Sequence, residues 1–139
     1  MFRLFLLIGL STGAALFSLL LRKTTSRDRI RSGWTVPGHL ERSDFAFRNE
    51  PWIALVFSSN TCETCKSVID AAKGLSIKSI PFQEISVEEN KELHDRYGID
   101  AVPMLLILDN FGVVRSHYLG PVALSRLEDD FDEIILQES

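Results

Sequence analysis

Apolar runs alternate with polar, turn-rich segments along most of the chain, at lengths typical of strands and helices. The runs at 52–58 and 104–108 are short and densely apolar, which predicts strands buried on both faces. Two further strands are predicted at 80–87 and 113–118. Residues 109–112, Asp-Asn-Phe-Gly, separate the last two strands and predict a hairpin turn.

Helices are predicted where apolar residues recur every three or four positions. The first opens at residue 62 and ends at Gly74, the second covers 88–97 with Gly98 as its cap, and the last begins at residue 120. The last helix has an apolar stripe, formed by Leu124, Leu127, Phe131, Ile134 and Ile135. The order βαβαββα predicts an α/β fold with a mixed central sheet flanked by helices.

The segment before the first strand is less regular. Residues 34–36 are predicted as a short edge strand, and residues 40–47 as a short helix. In that helix we expect Leu40, Phe45 and Phe47 to face the core.

Residues 4–21 contain no charged side chain, and as a helix they would cover roughly 27 Å, near the thickness of a bilayer core. We therefore expect one N-terminal transmembrane helix. A cleaved signal peptide is the alternative, but no small-x-small site lies beside the end of the run. The predicted organisation is an anchor at 1–21, a basic juxtamembrane linker at 22–33 and a globular domain at 34–139.

The flanking charges predict the orientation of this anchor. Only Arg3 precedes the apolar run, whereas five basic residues follow it: Arg22, Lys23, Arg27, Arg29 and Arg31. The positive-inside rule then places the globular domain on the cytoplasmic side. The extracytoplasmic side is the alternative, because many single-span redox domains lie there. In either case the lipid bilayer is a partner, through residues 4–21.

Composition limits the remaining function classes. The chain has 139 residues, enough for one globular domain, and a formal net charge of −4. Because an acidic domain lacks the positive surface that binds phosphates, no nucleic-acid partner is expected.

The only two cysteines are Cys62 and Cys65, placed between the first predicted strand and its helix. Thiols three residues apart at a helix start lie close enough to form a disulfide. The helix N-terminus also favours a thiolate at the first position. A zinc site would need further ligands, and the three histidines have no paired spacing. A purely structural disulfide closing so short a loop would stabilise little. The pattern therefore favours a redox centre without metal or organic cofactor.

With these residues the chain resembles the thioredoxin family over about residues 50–136. The resemblance is carried by the cysteine pair after a buried strand and by Ala101-Val102-Pro103 before the run at 104–108. Tyr97-Gly98-Ile99 and Gly120 also match the family pattern. The resemblance implies a thioredoxin-like fold in which Pro103 is cis and packs beside the cysteines. It also implies that Thr61, Val102 and Pro103 form the docking surface for an extended substrate peptide.

The chain departs from the typical family pattern near the cysteines. Thr61 replaces a tryptophan, Glu63 and Thr64 replace Gly-Pro, and Val56 replaces a buried aspartate. Glu84 stands at a family lysine position, where it is a possible base for Cys65 or simply an exposed strand residue.

Glu63 and Thr64 lie between the cysteines and are expected to tune the redox centre. The negative charge of Glu63 disfavours the Cys62 thiolate, so we expect the pair to be reducing. The reference range runs from about −270 mV for thioredoxin to about −120 mV for the strongly oxidising bacterial relative, and we expect the reducing half.

These features predict a membrane-tethered thiol–disulfide oxidoreductase. In this interpretation Cys62 attacks a protein disulfide, and Cys65 then releases the reduced substrate. The expected partners are protein disulfide substrates and an electron donor that the sequence does not identify. Two alternatives remain: an extracytoplasmic reductase of apocytochrome or exported-protein cysteines, and a redox-inactive binding module with a thioredoxin fold.

Overall fold

The computed structural model describes residues 34–139, so the predicted anchor at 4–21 and linker at 22–33 lie outside the described residues. Within the described part, no helix combines the length and apolar character needed to cross a membrane. The regular elements, in chain order, are β1 (Trp52–Ser58), α1 (Cys65–Gly74), β2 (Phe82–Ser86), α2 (Lys91–Arg96), β3 (Met104–Asp109), β4 (Val114–Leu119) and α3 (Leu124–Glu138). This order confirms the predicted α/β pattern.

The four strands form one mixed sheet in the order β2-β1-β3-β4. β1 and β2 run parallel, with Ala54 opposite Phe82. β3 runs antiparallel to both of its neighbours, β1 and β4. The two central strands are buried almost throughout, because their apolar side chains point alternately to the two faces and both faces are covered.

Each face of the sheet has its own apolar core. On one face, α1 and α3 cover the strands, and the buried members include Ala54, Val56, Val68, Leu105, Ile107 and Leu127. On the other face, α2 and the segment before β1 cover them, and the buried members include Leu40, Phe45, Ile53, Leu55, Phe57 and Leu106. The predicted arrangement of helices on both sides of a mixed sheet is therefore confirmed.

The first helix ends at Gly74 as predicted, but Gly74 is not a left-handed cap. Gly74 keeps a helical φ of −60°, and the chain continues into a 3₁₀ turn, Leu75–Lys78, that ends at Ser79 with a φ of +60°. The glycine instead makes room for α3, because a Cβ at this position would lie 2.5 Å from the Leu124 side chain. Close helix packing, rather than a left-handed cap conformation, explains this residue.

The last helix begins later than predicted, at Leu124 rather than near residue 120. Gly120 has a φ of +83° and donates its N–H to the Pro103 carbonyl at 3.1 Å, so it belongs to the turn after β4. The predicted apolar stripe is correct at Leu127 and Phe131, which are buried, but Ile135 is exposed.

The segment before β1 differs most from the predictions. Residues 34–36 form no strand, and the predicted helix at 40–47 is only a 3₁₀ turn, Arg42–Asp44. Leu40 and Phe45 are buried as predicted, but Phe47 is exposed. Arg42 holds the backbone of this segment in its non-helical path, because its buried guanidinium donates hydrogen bonds to the carbonyls of Phe47, Glu50 and Asp109.

Candidate active site

The two cysteines lie at the end of the sheet where β1 stops and α1 starts. They are joined in a disulfide, with their Cα atoms 5.4 Å apart. Cys65 is the first residue of α1 and is only 2% exposed, whereas Cys62 lies in the preceding loop and is half-buried. Of the two cysteines, Cys62 is therefore the more accessible to a second protein.

Two donors surround the Cys62 sulfur. The Cys65 N–H donates to Cys62 Sγ at 3.2 Å, and the Thr64 hydroxyl oxygen lies 3.7 Å from the same sulfur. The N–H groups of a first helical turn are unpaired within the helix and favour a negative charge. This arrangement suits a thiolate at Cys62 once the disulfide is reduced.

The predicted tuning residue Glu63 lies in the same loop and is exposed, as are Thr64 and Thr61. The Thr61 hydroxyl lies 3.0 Å from the Ser59 hydroxyl, so a hydrogen bond between the two side chains holds Thr61 within the loop.

The bond between Val102 and Pro103 is cis, as the resemblance implies. Met104 pairs with Phe57, so Pro103 lies level with Ser58, at the end of the sheet where the cysteine loop begins. Pro103 is buried and Val102 is half-buried. The fold thus brings the predicted docking residues to the same end as the cysteine pair.

Glu84 lies on β2 opposite Val56 of β1. Paired residues of neighbouring strands share a face, and Val56 packs beneath α1, so Glu84 is on the α1 side of the sheet. Its carboxylate accepts a hydrogen bond of 2.8 Å from the hydroxyl of Ser58, which is buried. Ser58 is two residues after Val56 on β1, on the same face of the sheet. The Ser58–Glu84 pair therefore lies between the apolar core around Val56 and the cysteine loop.

A second carboxylate, Glu88, holds the cysteine loop and was not singled out by the sequence pattern. It accepts hydrogen bonds of 3.0 Å from the Ser59 hydroxyl and from the Asn60 N–H. A hydrogen bond from its own backbone N–H, together with those from Asn60 and Ser59, lowers the pKa of Glu88. Because β1 and β2 are parallel, residues that follow both strands meet at one edge, and that rule is the signal that could have identified Glu88.

No group of three or more histidine, cysteine or acidic side chains within residues 34–139 is arranged to hold a metal ion. The Cys62–Cys65 pair supplies two sulfurs for thiol–disulfide exchange.

A sequence model of the glutaredoxin family matches residues 54–111, which contain β1, the cysteine pair and β3. No curated protein sequence matches the chain.

Several solved structures are similar to this one. A thioredoxin pre-protein from Schistosoma mansoni, solved in reduced form, is 23% identical with a TM-score of 0.52, over 61% of this chain and 80% of that protein. A mutant thioredoxin from Halobacterium salinarum is 20% identical with a TM-score of 0.56, over 63% and 77%. A malarial protein is 17% identical with a TM-score of 0.55, over 60% and 97%. At these identities the structural matches establish the fold.

The fold, the glutaredoxin match and the Cys62–Cys65 pair agree with one another. Together they identify the fold as thioredoxin-like and the chain as a thiol–disulfide oxidoreductase that is similar in sequence to glutaredoxins over residues 54–111.

Proposed function

We propose that this oxidoreductase is a membrane-tethered reductase of protein disulfides. The observation that carries the reductase chemistry is the unequal accessibility of the two cysteines, since Cys65 is 2% exposed and Cys62 is half-buried. A nucleophile must reach its substrate, whereas a resolving thiol needs to reach only its neighbour.

The reaction begins with both cysteines reduced. The Cys62 thiolate attacks one sulfur of the substrate disulfide, forms a mixed disulfide and releases the other substrate sulfur as a thiolate. Cys65, as its thiolate, then attacks Cys62 Sγ and releases the second substrate thiol. Two electrons have passed to the substrate, and the pair is left as the Cys62–Cys65 disulfide. A dithiol donor protein then reduces the pair again.

Cys65 must lose a proton before it attacks, and we assign Glu84 as the acceptor. Glu84 lies on the α1 side of the sheet, and its carboxylate is bonded to Ser58, the residue from which the cysteine loop departs. In this role the Ser58 hydroxyl orients the carboxylate, and the exposed position of Glu84 allows the proton to pass on to solvent.

Thr61, Val102 and Pro103 form the docking surface for the substrate chain. Thr61 is the residue before Cys62, and Pro103 lies level with Ser58 at the same end of the sheet, which supports this assignment. An extended substrate segment beside Val102 would use backbone hydrogen bonds, a form of strand addition.

The assignment of roles predicts opposite results for two substitutions. Cys65→Ser should leave the first attack intact and trap mixed disulfides, while Cys62→Ser should abolish attack. Cells expressing each variant are quenched with acid, and adducts are resolved on non-reducing gels and released with reductant. Absence of adducts with Cys65→Ser would contradict the roles, and absence of disulfide reduction by the parent chain would favour a binding module.

The direction of electron flow predicts a reducing potential. Glu63 lies between the cysteines and disfavours the thiolate of the reduced pair, which favours the disulfide. Equilibration with glutathione buffers should give a potential in the reducing half of the family range. A value above about −180 mV, close to that of protein disulfide isomerase, would contradict a reductase.

The proposed tether is the uncharged run at residues 4–21, with the basic linker at 22–33 on the cytoplasmic side. The domain at 34–139 would then act on proteins at the inner membrane surface. A chain anchored in the other orientation would act on the cysteines of exported proteins.

A further inference from the structure

The exposed large apolar side chains lie at the end of the domain opposite the cysteines. We define the cysteine end by Ser58, from which the cysteine loop departs, and the distal end by Trp52, at the other end of β1. Six of these side chains are placed at the distal end by the contacts described below: Phe47, Ile77, Phe111, Val113, Ile135 and Leu136. The only other exposed large apolar side chain within residues 34–139 is Trp34, where the described chain begins.

The β3–β4 hairpin contributes Phe111 and Val113, which are 75% and 38% exposed. Trp52 pairs with Asp109, so the hairpin that follows Asp109 lies at the distal end. Phe47 lies nearby, because one Arg42 guanidinium donates to the carbonyls of both Phe47 and Asp109, each at 2.7 Å.

The 3₁₀ turn after α1 and the last turn of α3 contribute the remaining exposed apolar side chains of the distal end. Ile77, 80% exposed, lies in the 3₁₀ turn that leads to β2, whose first residue pairs with Ala54 near the start of β1. Ile135 and Leu136 lie in the last turn of α3, where Glu138 forms an ion pair of 2.6 Å with Arg115 at the start of β4.

The chain also enters the domain at this end. His39 forms a bridge with Val113, and its ring nitrogen lies 2.9 Å from the Phe111 carbonyl oxygen. Trp34 precedes His39 by five residues, so it lies at most about 18 Å from that bridge. The residues before Trp34 are the basic linker and the uncharged run at 4–21.

We propose that the distal end rests on the lipid bilayer, with its exposed aromatic and aliphatic side chains in the headgroup region. This inference depends on the tethering proposed above, and it is supported by the His39–Val113 bridge, which holds the start of the described chain at the distal end. Aromatic rings suit this region, since they offer apolar surface to a wet boundary. Because β1 has seven residues and connects the two ends, the cysteine end would lie about 20 Å farther from the membrane. It would then face proteins in the aqueous phase.

The test uses the full chain reconstituted in phosphatidylcholine vesicles, with a photoreactive benzoylphenylalanine at single positions. Phe111 and Phe47 are replaced at the distal end, and exposed Lys66, beside Cys65, is the matched control at the cysteine end. Each variant is first checked for disulfide reduction, which reports that its domain is folded. After irradiation, mass spectrometry counts lipid adducts on the protein, and a separate alkaline carbonate wash reports whether the chain is inserted.

The proposal expects lipid adducts from positions 111 and 47, and none above background from position 66. An inserted chain with no lipid adducts at 111 and 47, or with equal adducts at all three positions, would overturn it while leaving the tether intact. Adducts to protein instead of lipid would overturn it in favour of a protein occupant. Release of the chain by carbonate would refute the tether itself, and this inference with it.

Discussion

Glu88 is the side chain that fixes the loop before Cys62. Its carboxylate accepts hydrogen bonds from Ser59 and Asn60, which lie 29 and 28 residues earlier in the chain. The Ser59 hydroxyl also contacts the Thr61 hydroxyl, and the Ser59 carbonyl accepts the Cys62 N–H. Through Ser59, the carboxylate therefore positions the residue before Cys62, and none of these hydrogen bonds involves a cysteine sulfur. Glu88 is a positioning residue.

Replacing Glu88 should loosen this loop and slow the reaction. We expect Glu88→Ala to speed hydrogen exchange at residues 60–62 by about three- to tenfold, because bonds to a carboxylate are among the stronger loop contacts. Glu88→Gln keeps an acceptor oxygen and should retain much of the protection. Glu89→Ala, at the exposed neighbouring position, is the control. Hydrogen exchange measured by mass spectrometry tests this prediction. Equal protection of residues 60–62 in Glu88→Ala and in the parent would contradict the positioning role.

The hydrogen bonds to the Glu88 carboxylate also predict that the protection of the cysteine loop depends on pH. Hydrogen bonds to the carboxylate lower the pKa of Glu88 in the folded protein, so its contribution to stability is complete above the ordinary glutamate pKa. The contribution is lost as the pH falls through the lowered value. The difference between the parent and Glu88→Ala in loop protection should therefore persist at the ordinary glutamate pKa and disappear only once the pH falls below the lowered pKa of Glu88.

The sequence predicts some of these residues more readily than others. Cys62, Cys65 and Pro103 stand out because their residue types are rare and their spacing relative to buried strands is characteristic. Glu88 does not, since one glutamate in the run Val-Glu-Glu-Asn looks like any exposed residue. Its contact depends on the parallel pairing of β1 with β2, and that information is tertiary.

At the scale of elements, the segment before β1 is held by the hairpin between β3 and β4. The Leu40 N–H donates to the Gly112 carbonyl at 2.8 Å, and Gly112 has a φ of +81°. A Cβ on Gly112 would lie 1.9 Å from the Leu40 carbonyl oxygen, which is backbone and has little freedom to move. The glycine is therefore required both by its own conformation and by the close approach of another chain segment.

Gly112→Ala should lower the free energy of unfolding by about 3 kcal/mol or more, since conformational strain adds to a backbone clash. Gly98→Ala is the matched control, because Gly98 also has a positive φ, +64°, but has nothing within 4 Å of the position of an added Cβ. That variant should lose only about 1 kcal/mol. Urea unfolding of both variants would measure the difference, and equal losses would show that the contact with Leu40 does not matter.

The helix predicted for residues 40–47 shows why this region resists prediction. Its apolar positions are real, since Leu40 and Phe45 are buried, but their spacing does not fix the backbone between them. The backbone is fixed by Arg42, a residue type that normally favours the surface. Burial lowers the pKa of Arg42, while Asp109 and Glu50 oppose the shift. Its two terminal nitrogens donate to three carbonyls, whereas its buried Nε has no hydrogen-bond partner among the described residues.

At the scale of the whole molecule, the sheet and its two cores follow directly from the apolar pattern. β1 and β3 are continuous apolar runs because helices or chain segments cover both faces of the sheet. The ends of the domain then differ in character. The cysteine end carries polar loop residues and carboxylates, whereas the distal end carries the exposed apolar side chains. This difference between the two ends arises from the fold, because it brings together residues that are far apart in the sequence.

The side of the membrane that the cysteine end faces is the last prediction. Because Cys62 and Cys65 are the only cysteines, any thiol label on the chain reports on this site alone. Five basic residues after the apolar run predict a cytoplasmic domain. A membrane-impermeant thiol reagent should therefore label the chain only after cells are permeabilised, with or without brief treatment by a permeant reductant.

Labelling of intact cells would contradict the orientation that the charges predict. If that labelling also required the reductant, the pair would rest as a disulfide outside the cytoplasm. Reduction there would need a donor that delivers electrons across the membrane, because the compartment itself is oxidising. The substrates would then be the cysteines of exported proteins, and the site would perform the same two-step exchange on the opposite side of the membrane. The double variant Cys62→Ser with Cys65→Ser, which cannot be labelled, sets the background for every arm of the measurement.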